Sequence, residues 1–229
     1  MEQGYHTPLE EYLETILSLS DEGTDVIGAR IAERLGRSAP AVKEMLDRLA
    51  DDGFVVRHGR TVELTQRGRD VATTVTRRHR LAERLLADVI GLAWHKVHEE
   101  AGRWEHVISP DVEERLIALL GDPATCPHGN PIPGSHHLEL REERPLASAK
   151  EGEDIELIRI SEMLEHDEGS MIALDEAAFI PGRQGTVSHV GSEGTMTIST
   201  SSGMVVLPSD LTEWLYVTMP SAVEVSSEF

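Results

Sequence analysis

The sequence is poor in cysteine and in positive charge, and it has no long hydrophobic run. Its single cysteine, Cys126, cannot form an internal disulfide and excludes a metal site made of cysteines alone. No stretch approaches the roughly 18 consecutive apolar residues that a membrane span requires, and no basic segment followed by an apolar run opens the chain. We therefore expect a cytoplasmic protein that does not associate with membranes.

The few basic residues are concentrated in one part of the chain. The sequence has 21 lysines and arginines against 41 acidic residues, for a net charge of −20. Residues 28–80 carry 12 basic and 7 acidic groups, whereas residues 151–229 carry 2 and 15. Because local charge decides nucleic-acid binding more than the total does, we expect phosphate contacts from residues 28–80. The acidic remainder would repel DNA and so orient the protein by its basic face.

The basic segment has the pattern of a winged helix-turn-helix. Residues 9–20 predict an amphipathic first helix. Two short helices follow, the first over Ile27–Leu35, and the second has Ser38 as its N-cap. A β-hairpin, or wing, is predicted over residues 54–65. A helical hairpin alone is common as scaffold, but the wing and the local charge favour DNA binding, with the second helix in the major groove.

Imidazole and carboxylate groups recur at helical spacing on the next two helices, predicted from Gln66 to Ile90 and over residues 93–107. The groups lie four or seven residues apart, so they share helix faces. Imidazole and carboxylate without thiol suit Mn, Fe, Co, Ni or Zn. One such pair alone is typically a surface ion pair, but five groups on neighbouring helices favour a metal site. The five are His79, Glu83, His98, Glu105 and His106.

These helices, with a third after Pro110, carry more apolar surface than three short helices can cover among themselves. The residues concerned include Leu85, Leu86, Val89 and Leu92. A subunit interface is the natural place for this surface.

Beyond a proline-containing linker the pattern changes to five short strands, which suggest a small SH3-like barrel. The strands are predicted at residues 155–160, 185–190, 195–199, 204–207 and 214–217. In isolation Glu165 and Glu168 would be exposed loop acids, and Cys126 a small buried or inert residue. We assign no role to the linker histidines, which are His128, His136 and His137.

Five strings of residues stand in an order and spacing that coincidence does not explain. They are Ala29-Arg-Ile-Ala-Glu-Arg-Leu35, Arg78-His-Arg-Leu-Ala-Glu-Arg-Leu-Leu86, Lys96-Val-His-Glu-Glu-Ala101, Arg103-Trp-Glu-His106 and Gly129-Asn-Pro-Ile-Pro133. They closely resemble the diphtheria toxin repressor family of metal-dependent transcriptional repressors, over nearly the whole chain. The resemblance implies an α+β multidomain fold. Its parts would be a winged helix-turn-helix DNA-binding domain (1–74), a helical metal-binding and dimerisation domain (75–126), a linker (127–149) and an SH3-like domain (150–229).

The resemblance also implies two metal sites in each subunit. The ancillary site would comprise His79, Glu83 and His98, completed by Glu165 and Glu168 of the SH3-like domain. The primary site would comprise Glu105, His106, the backbone carbonyl of Gly102 and an acid of the first helix, Glu11, with Glu14 near it.

Two positions bear on the choice of metal. In the iron-responsive branch, the resemblance implies Met in the first helix and Cys farther on, at the places where this chain has Glu11 and Gly102. The manganese-responsive branch has acids at the positions of Glu11 and Glu14, but a Glu in place of Gly102. Oxygen ligands favour a harder ion, so we predict Mn(II), with Fe(II), Co(II), Ni(II) or Zn(II) able to substitute. Gly102 leaves open how many ions the primary site holds.

The implied function is metal-dependent repression by a homodimer. A cation between Glu11 and the pair Glu105 and His106 would fix the DNA-binding domain, and thereby set the spacing of two recognition helices on a palindromic DNA operator. The expected DNA contacts are Thr7, Arg30, Ser38, Ala39, Pro40, Ala41, Lys43, Glu44, Arg48 and Arg60.

Three alternatives stay open: an iron-responsive repressor of the same family, a metal-binding adaptor that uses the SH3-like domain on a partner peptide, and a metallohydrolase. The last is disfavoured because the sequence has no His-Glu-x-x-His string and would leave the winged helix idle. We expect no enzymatic activity and no small-molecule substrate.

Overall fold

The computed structural model describes residues 7–137 and 142–220, and its N-terminal unit has three helices followed by a two-stranded antiparallel sheet. The elements are α1 Thr7–Asp21, α2 Gly28–Arg34, α3 Ala39–Asp51, β1 Val55–His58 and β2 Thr61–Leu64. Ser38 caps α3 as predicted, because its hydroxyl accepts a hydrogen bond from the backbone N–H of Ala41. Apolar side chains from α1, α2, α3 and β1 form one core, which includes Leu13, Ile31, Leu46, Leu49 and Val55.

The middle unit consists of three helices whose apolar faces meet. They are α4 Gln66–Arg84, α5 Val97–Trp104 and α6 Pro110–Leu120, which begins at the predicted cap Ser109. The predicted long helix does reach Ile90, but residues Leu85–Ile90 are π-helical, and Gly91 with φ 77° ends them. The second helix is shorter than the predicted 93–107, because a 3₁₀ turn at Trp94–Lys96 precedes it.

The C-terminal unit is a six-stranded antiparallel sheet with three short helices, and it contains all five predicted strands. The strands are β3 Arg144–Pro145, β4 Asp154–Ile160, β5 Gln184–Val190, β6 Met196–Ser199, β7 Met204–Leu207 and β8 Leu215–Thr218, in the spatial order β3-β8-β4-β5-β6-β7. The helices are α7 Glu162–Glu165, α8 Glu168–Glu176 and α9 Ser209–Thr212. Strand β3 escaped prediction because it has two residues, one of them a proline.

The segment from Cys126 to Ile132 fastens the middle unit to the C-terminal sheet. Trp94 packs against the core of the sheet, and its indole N–H donates to the carbonyl of Pro127 at 3.0 Å. Gly129 has φ 87°, and a Cβ there would lie 2.0 Å from the carbonyl oxygen of Ile158. The segment therefore lies directly against β4. None of the described helices is both long and apolar enough to span a bilayer.

Candidate metal centre and nucleic-acid interface

Five histidines and carboxylates from four segments, all buried except the half-buried His98, form what we call the inner cluster. Its members are His79 and Glu83 of α4, His98 of α5, His128 of the segment before β3, and Glu165 of α7. His79 and Glu83 are one helical turn apart, and their Nε2 and Oε1 atoms are separated by 3.2 Å. The Nδ1 atom of His98 lies 3.1 Å from Nε2 of His79 and 2.7 Å from Oε2 of Glu165.

His128 received no role from the sequence, yet it is fully buried at the centre of this cluster. Its Nδ1 atom lies 3.1 Å from Oε1 of Glu83 and 3.0 Å from Oε2 of Glu165. The sequence feature that could have indicated a role for His128 is its position. It directly precedes the Gly129-Asn-Pro-Ile-Pro133 string that carries the family resemblance. The same loop supplies Asn130, whose amide donates to Oε1 of Glu165 at 2.7 Å.

The two acids expected from the C-terminal unit have different surroundings. Glu165 is 7% exposed and touches two histidines of the inner cluster. Glu168 is exposed, at the start of α8, and lines the cavity above the cluster. The structure thus brings Glu165 to the cluster and leaves Glu168 at the cavity wall.

A second group of four residues forms what we call the outer cluster, where α1 meets the end of α5. Its members are Glu10, Glu14, Glu105 and His106. His106 lies between two carboxylates, with Nδ1 2.6 Å from Oε2 of Glu10 and Nε2 3.1 Å from Oε1 of Glu105. Glu14 groups with Glu105 and His79.

Glu11 borders this cluster in another way than expected, whereas the expected role of the Gly102 carbonyl stays a prediction. Glu11 is turned about 100° around α1 from Glu10, and its carboxylate lies 3.8 Å from Nη2 of Arg37. The first-helix acid against His106 is therefore Glu10, which the sequence analysis did not single out. Gly102 lines the same cavity, and a Cβ added to it would meet nothing within 4 Å.

His79 connects the two clusters. Its Nδ1 atom lies 2.5 Å from Oε2 of Glu105, while Nε2 faces Glu83 and His98. Above both clusters opens a cavity of about 800 Å³ that is bordered by all three units.

Opposite charges set the protonation states in the inner cluster. Burial of the His98 ring lowers its pKa, but the charge of Glu165 and the hydrogen bonds of the ring to Glu165 and Glu83 together raise the pKa to about 9. Burial likewise raises the pKa of Glu165, but His128 and His98 lower it to about 2. For His128, burial acts against protonation, and the carboxylates of Glu165 and Glu83 nevertheless hold its pKa well above 6.5. These groups therefore form imidazolium–carboxylate pairs near neutral pH.

In the outer cluster the acids outnumber the bases. Burial, reinforced by the Glu105 carboxylate, raises the pKa of Glu14 to about 8. Burial lowers the pKa of His106, but its hydrogen bond to Glu10 and the charge of Glu105 raise it further, so the pKa lies above its ordinary value. Burial and the neighbouring acids together hold the Glu14 carboxyl protonated, and a cation would relieve the repulsion among these acids.

The donor atoms are spaced as one small cation requires. Ligand bonds of about 2.1 Å place neighbouring donors on one ion about 3 Å apart, and Oε1 of Glu83 lies 3.1–3.3 Å from ring nitrogens of His79, His98 and His128. Among the described residues, three groups of side chains each have their donor atoms within 4.8 Å of one another. The groups are His79-Glu83-His98, Glu83-Cys126-His128 and Glu14-His79-Glu105. Cys126 is buried, as predicted, and burial together with the charge of Glu83 raises the pKa of its thiol to about 11.

The expected DNA-binding residues of α3 and the wing are on the protein surface. Those exposed are Ser38, Ala39, Pro40, Ala41, Lys43, Glu44, Arg48 and Arg60. Arg30 is half-buried and donates to the carbonyl of Asp25 at 2.8 Å. Thr7 begins α1, but its side chain lies outside the described residues. Asp47, also on α3, lies 2.6 Å from Nζ of Lys43 and pairs with Arg57 of the wing.

Two family models match consecutive parts of the chain. The model described as iron dependent repressor, N-terminal DNA binding domain, matches residues 6–61. The model described as iron dependent repressor, metal binding and dimerisation domain, matches residues 65–134. Iron-dependent repressor IdeR of Mycobacterium tuberculosis is 41% identical over 219 residues, covering 88% of this chain and 93% of that protein. The diphtheria toxin repressor of Corynebacterium diphtheriae is 39% identical over 211 residues, covering 88% and 92%.

Solved structures show the same architecture. A manganese-dependent transcriptional repressor in complex with manganese superposes with a TM-score of 0.81 at 30% identity, covering 93% of this chain and all of that one. The manganese regulator SloR gives a TM-score of 0.74 at 26% identity, covering 93% and 98%. The similar proteins thus include repressors named for iron and repressors named for manganese.

Proposed function

Because this chain belongs to the iron-dependent repressor family of metal-dependent transcriptional repressors, we propose that it senses Mn(II) and represses transcription as a homodimer on palindromic operators. The inner and outer clusters are its two metal sites. Its partner is DNA, so we place its action in the cytoplasm and assign it no catalytic role.

One observation carries the proposal: the clusters join all three units of the chain. Glu10 belongs to α1, His106 follows α5, and Glu165 belongs to α7. A bound divalent cation would supply the positive charge that holds these acids and imidazoles together. His106, held against Glu10, keeps α1 against the middle unit, and α1 shares one core with α3. The outer cluster therefore sets the orientation of the recognition helix.

Exposed apolar residues of the middle unit support a homodimer. Val89, Ile90, Val107 and Leu119 are 57%, 56%, 78% and 64% exposed. A second copy of the chain would cover them and place two α3 helices on one side of the dimer, as a palindromic operator requires.

The donor chemistry supports Mn(II) over Fe(II). The outer cluster offers carboxylate oxygen and imidazole nitrogen, which suit a harder ion. The single thiol of the chain, Cys126, groups with Glu83 and His128 of the inner cluster and not with the outer cluster. His79, Glu83, His98, His128 and Glu165 would hold the inner ion. Glu10, Glu14, Glu105 and His106 would hold the outer ion.

The test is a fluorescence-anisotropy titration of the metal-stripped full-length protein on DNA duplexes. The duplexes are selected beforehand from a random pool, in one selection with Mn(II) and in a second with Fe(II). Mn(II), Fe(II), Co(II) and Zn(II) are compared in parallel. We expect the tightest binding with Mn(II). If DNA binding with Fe(II) were as tight as with Mn(II), or tighter, the preference for manganese would be refuted, but metal-dependent DNA binding would still be supported. DNA affinity indifferent to every metal would refute metal regulation.

A further inference from the structure

The helix that carries Glu165 also touches the N-terminal unit. Helix α7 is a single turn, capped by Ser161, whose hydroxyl accepts a hydrogen bond from the backbone N–H of Met163 at 3.2 Å. The same hydroxyl donates to Oε1 of Glu22, just after α1, at 3.1 Å. Ser161 is 1% exposed, so this interdomain hydrogen bond is shielded from water.

Glu22 belongs to a buried polar network that joins α1 to α2. Its Oε2 atom lies 2.9 Å from Nη2 of Arg34, and the two side chains are 9% and 7% exposed. Ser18 of α1 accepts from Nη1 of Arg34 at 3.3 Å. Through Glu22, the cap of α7 is therefore connected to both helices that precede the recognition helix.

Glu162 makes the second contact between α7 and the rest of the chain. It accepts from Nη2 of Arg80 at 2.7 Å. Burial would raise its pKa, but the charge of Arg80 holds the pKa of Glu162 below its ordinary value. The Ser18 hydroxyl donates to Oε1 of Glu22 at 3.5 Å, and we call Ser18, Glu22 and Ser161 the α1–α7 contact.

The far end of the same turn lies in the inner cluster. Glu165 is four residues from Ser161, about 6 Å along the helix axis, and it touches His98 and His128. Asn130 ties the turn from the side, donating both to Glu165 and to the carbonyl of Ile160. A helix of one turn that is held at both ends moves as one body.

We propose that Ser161 is a positioning residue that couples the inner cluster to the DNA-binding unit, with α7 as the rigid connection. Fixing Glu165 in the inner cluster fixes Ser161, which in turn holds α1 and α2 through Glu22. This inference rests on the proposed function. It gives the inner cluster its own route to the recognition helix, separate from the route through Glu10 and His106.

The test uses small truncations on each side of the contact, Ser161→Ala and Ser18→Ala, with their double variant. The matched control is Ser109→Ala, which likewise removes an N-cap hydroxyl, there from α6. Circular dichroism verifies folding. Hydrogen–deuterium exchange of the full chain, with and without Mn(II), reports residues 22–34 and residues 127–134 separately. Operator anisotropy gives the Mn(II) concentration for half-maximal DNA binding.

For both single variants we expect Mn(II) to protect residues 127–134 as in the wild type and to lose its protection of residues 22–34. The Mn(II) requirement for DNA binding should rise roughly ten- to a hundredfold, as for a lost hydrogen bond to a charged acceptor. The double variant should be no worse than the more severe single variant, because both open one contact. Ser109→Ala should match the wild type.

Unchanged protection of residues 22–34 in both single variants would overturn the inference while leaving the metal-dependent repressor intact. A wild type that binds DNA without regard to Mn(II) would refute the proposed function. In that case hydrogen–deuterium exchange still tests the coupling. The coupling is supported if Mn(II) protects residues 22–34 in the wild type but not in Ser161→Ala. It is refuted if Mn(II) protects these residues equally in both proteins, or in neither.

Discussion

At the scale of single residues, His128 shows that the surroundings of a side chain decide its role more than its sequence neighbours do. A histidine in a proline-containing loop is usually solvated, yet His128 is fully buried between two carboxylates. The three histidines of the linker look alike in sequence, whereas in the structure His136 and His137 are exposed. Which of them is buried depends on how the loop packs against β4. That tertiary contact cannot be predicted from the residue types of the loop.

His128→Gln is expected to remove most of the stabilisation that Mn(II) gives the protein. Saturating metal at about 100 times its Kd stabilises a fold by about 2.7 kcal/mol, which corresponds to a Tm increase of roughly 5–10 °C for a chain of this size. Differential scanning fluorimetry with and without Mn(II) measures this increase. His136→Gln, on the exposed histidine of the same loop, is the control and should keep the full increase. An equal increase in both variants would exclude His128 from the metal site.

The pKa values of the inner cluster predict that metal affinity rises with pH. The pKa of His98 is about 9 against an ordinary 6.5, so its contribution to stability is fully present below pH 6.5 and is lost as pH rises through about 9. A cation must displace that proton and the proton of His128, so affinity should rise by at least about tenfold per pH unit between pH 6 and 8. Competition with a fluorescent chelator at several pH values measures Mn(II) affinity. A pH-independent affinity would contradict the proposed ligation by His98.

At the scale of elements, regular patterns were predictable and irregular ones were not. The five longer strands of the C-terminal sheet follow from short β-rich runs between turn residues, and the caps Ser38 and Ser109 follow from the chemistry of helix starts. The change to a π-helix at Leu85 and the 3₁₀ turn at Trp94 did not follow, because they depend on packing between units.

Part of the candidate site was likewise predictable from the sequence, and part was not. Spacing identified His79, Glu83, His98, Glu105 and His106, because one helix turn brings such residues onto one face. Spacing could not choose between Glu10 and Glu11, since both lie on α1 and only the approach of α5 decides which faces His106.

The loop that carries His128 depends on a glycine that fits closely against β4. Gly129→Ala combines a strained φ of 87° with a Cβ placed 2.0 Å from a backbone oxygen, so the loop must shift. Gly152→Ala is a matched control, because Gly152 has φ 84° with nothing within 4 Å. We expect the control to lose about 1 kcal/mol of unfolding free energy from backbone strain alone. Gly129→Ala should lose at least twice as much in urea denaturation. Equal losses would show that the loop is not fixed by this contact.

At the scale of the whole molecule, the apolar face of the middle unit predicts the oligomeric state. Leu119→Glu places a charge in the proposed dimer interface and should convert the dimer to a monomer without unfolding it, because Leu119 is 64% exposed in a single chain. Met204→Glu, at a residue 71% exposed on β7, is the control and should remain dimeric. Sedimentation-velocity ultracentrifugation distinguishes the two states. A dimeric Leu119→Glu variant would move the interface elsewhere.

In the proposed function the outer cluster holds α1 to the middle unit, and a comparison of the variants Glu10→Ala and Glu11→Ala shows whether it does. Glu10 lies 2.6 Å from His106, whereas Glu11 is partly exposed beside Arg37. The measurement is the operator affinity of each variant with and without Mn(II). We predict that Glu10→Ala loses at least about tenfold of the Mn(II) stimulation, as expected when a buried charge partner is removed, and that Glu11→Ala stays within about twofold of the wild type. If Glu11→Ala lost the Mn(II) stimulation of operator binding and Glu10→Ala kept it, Glu11 and not Glu10 would be the first-helix acid that holds α1 to the middle unit.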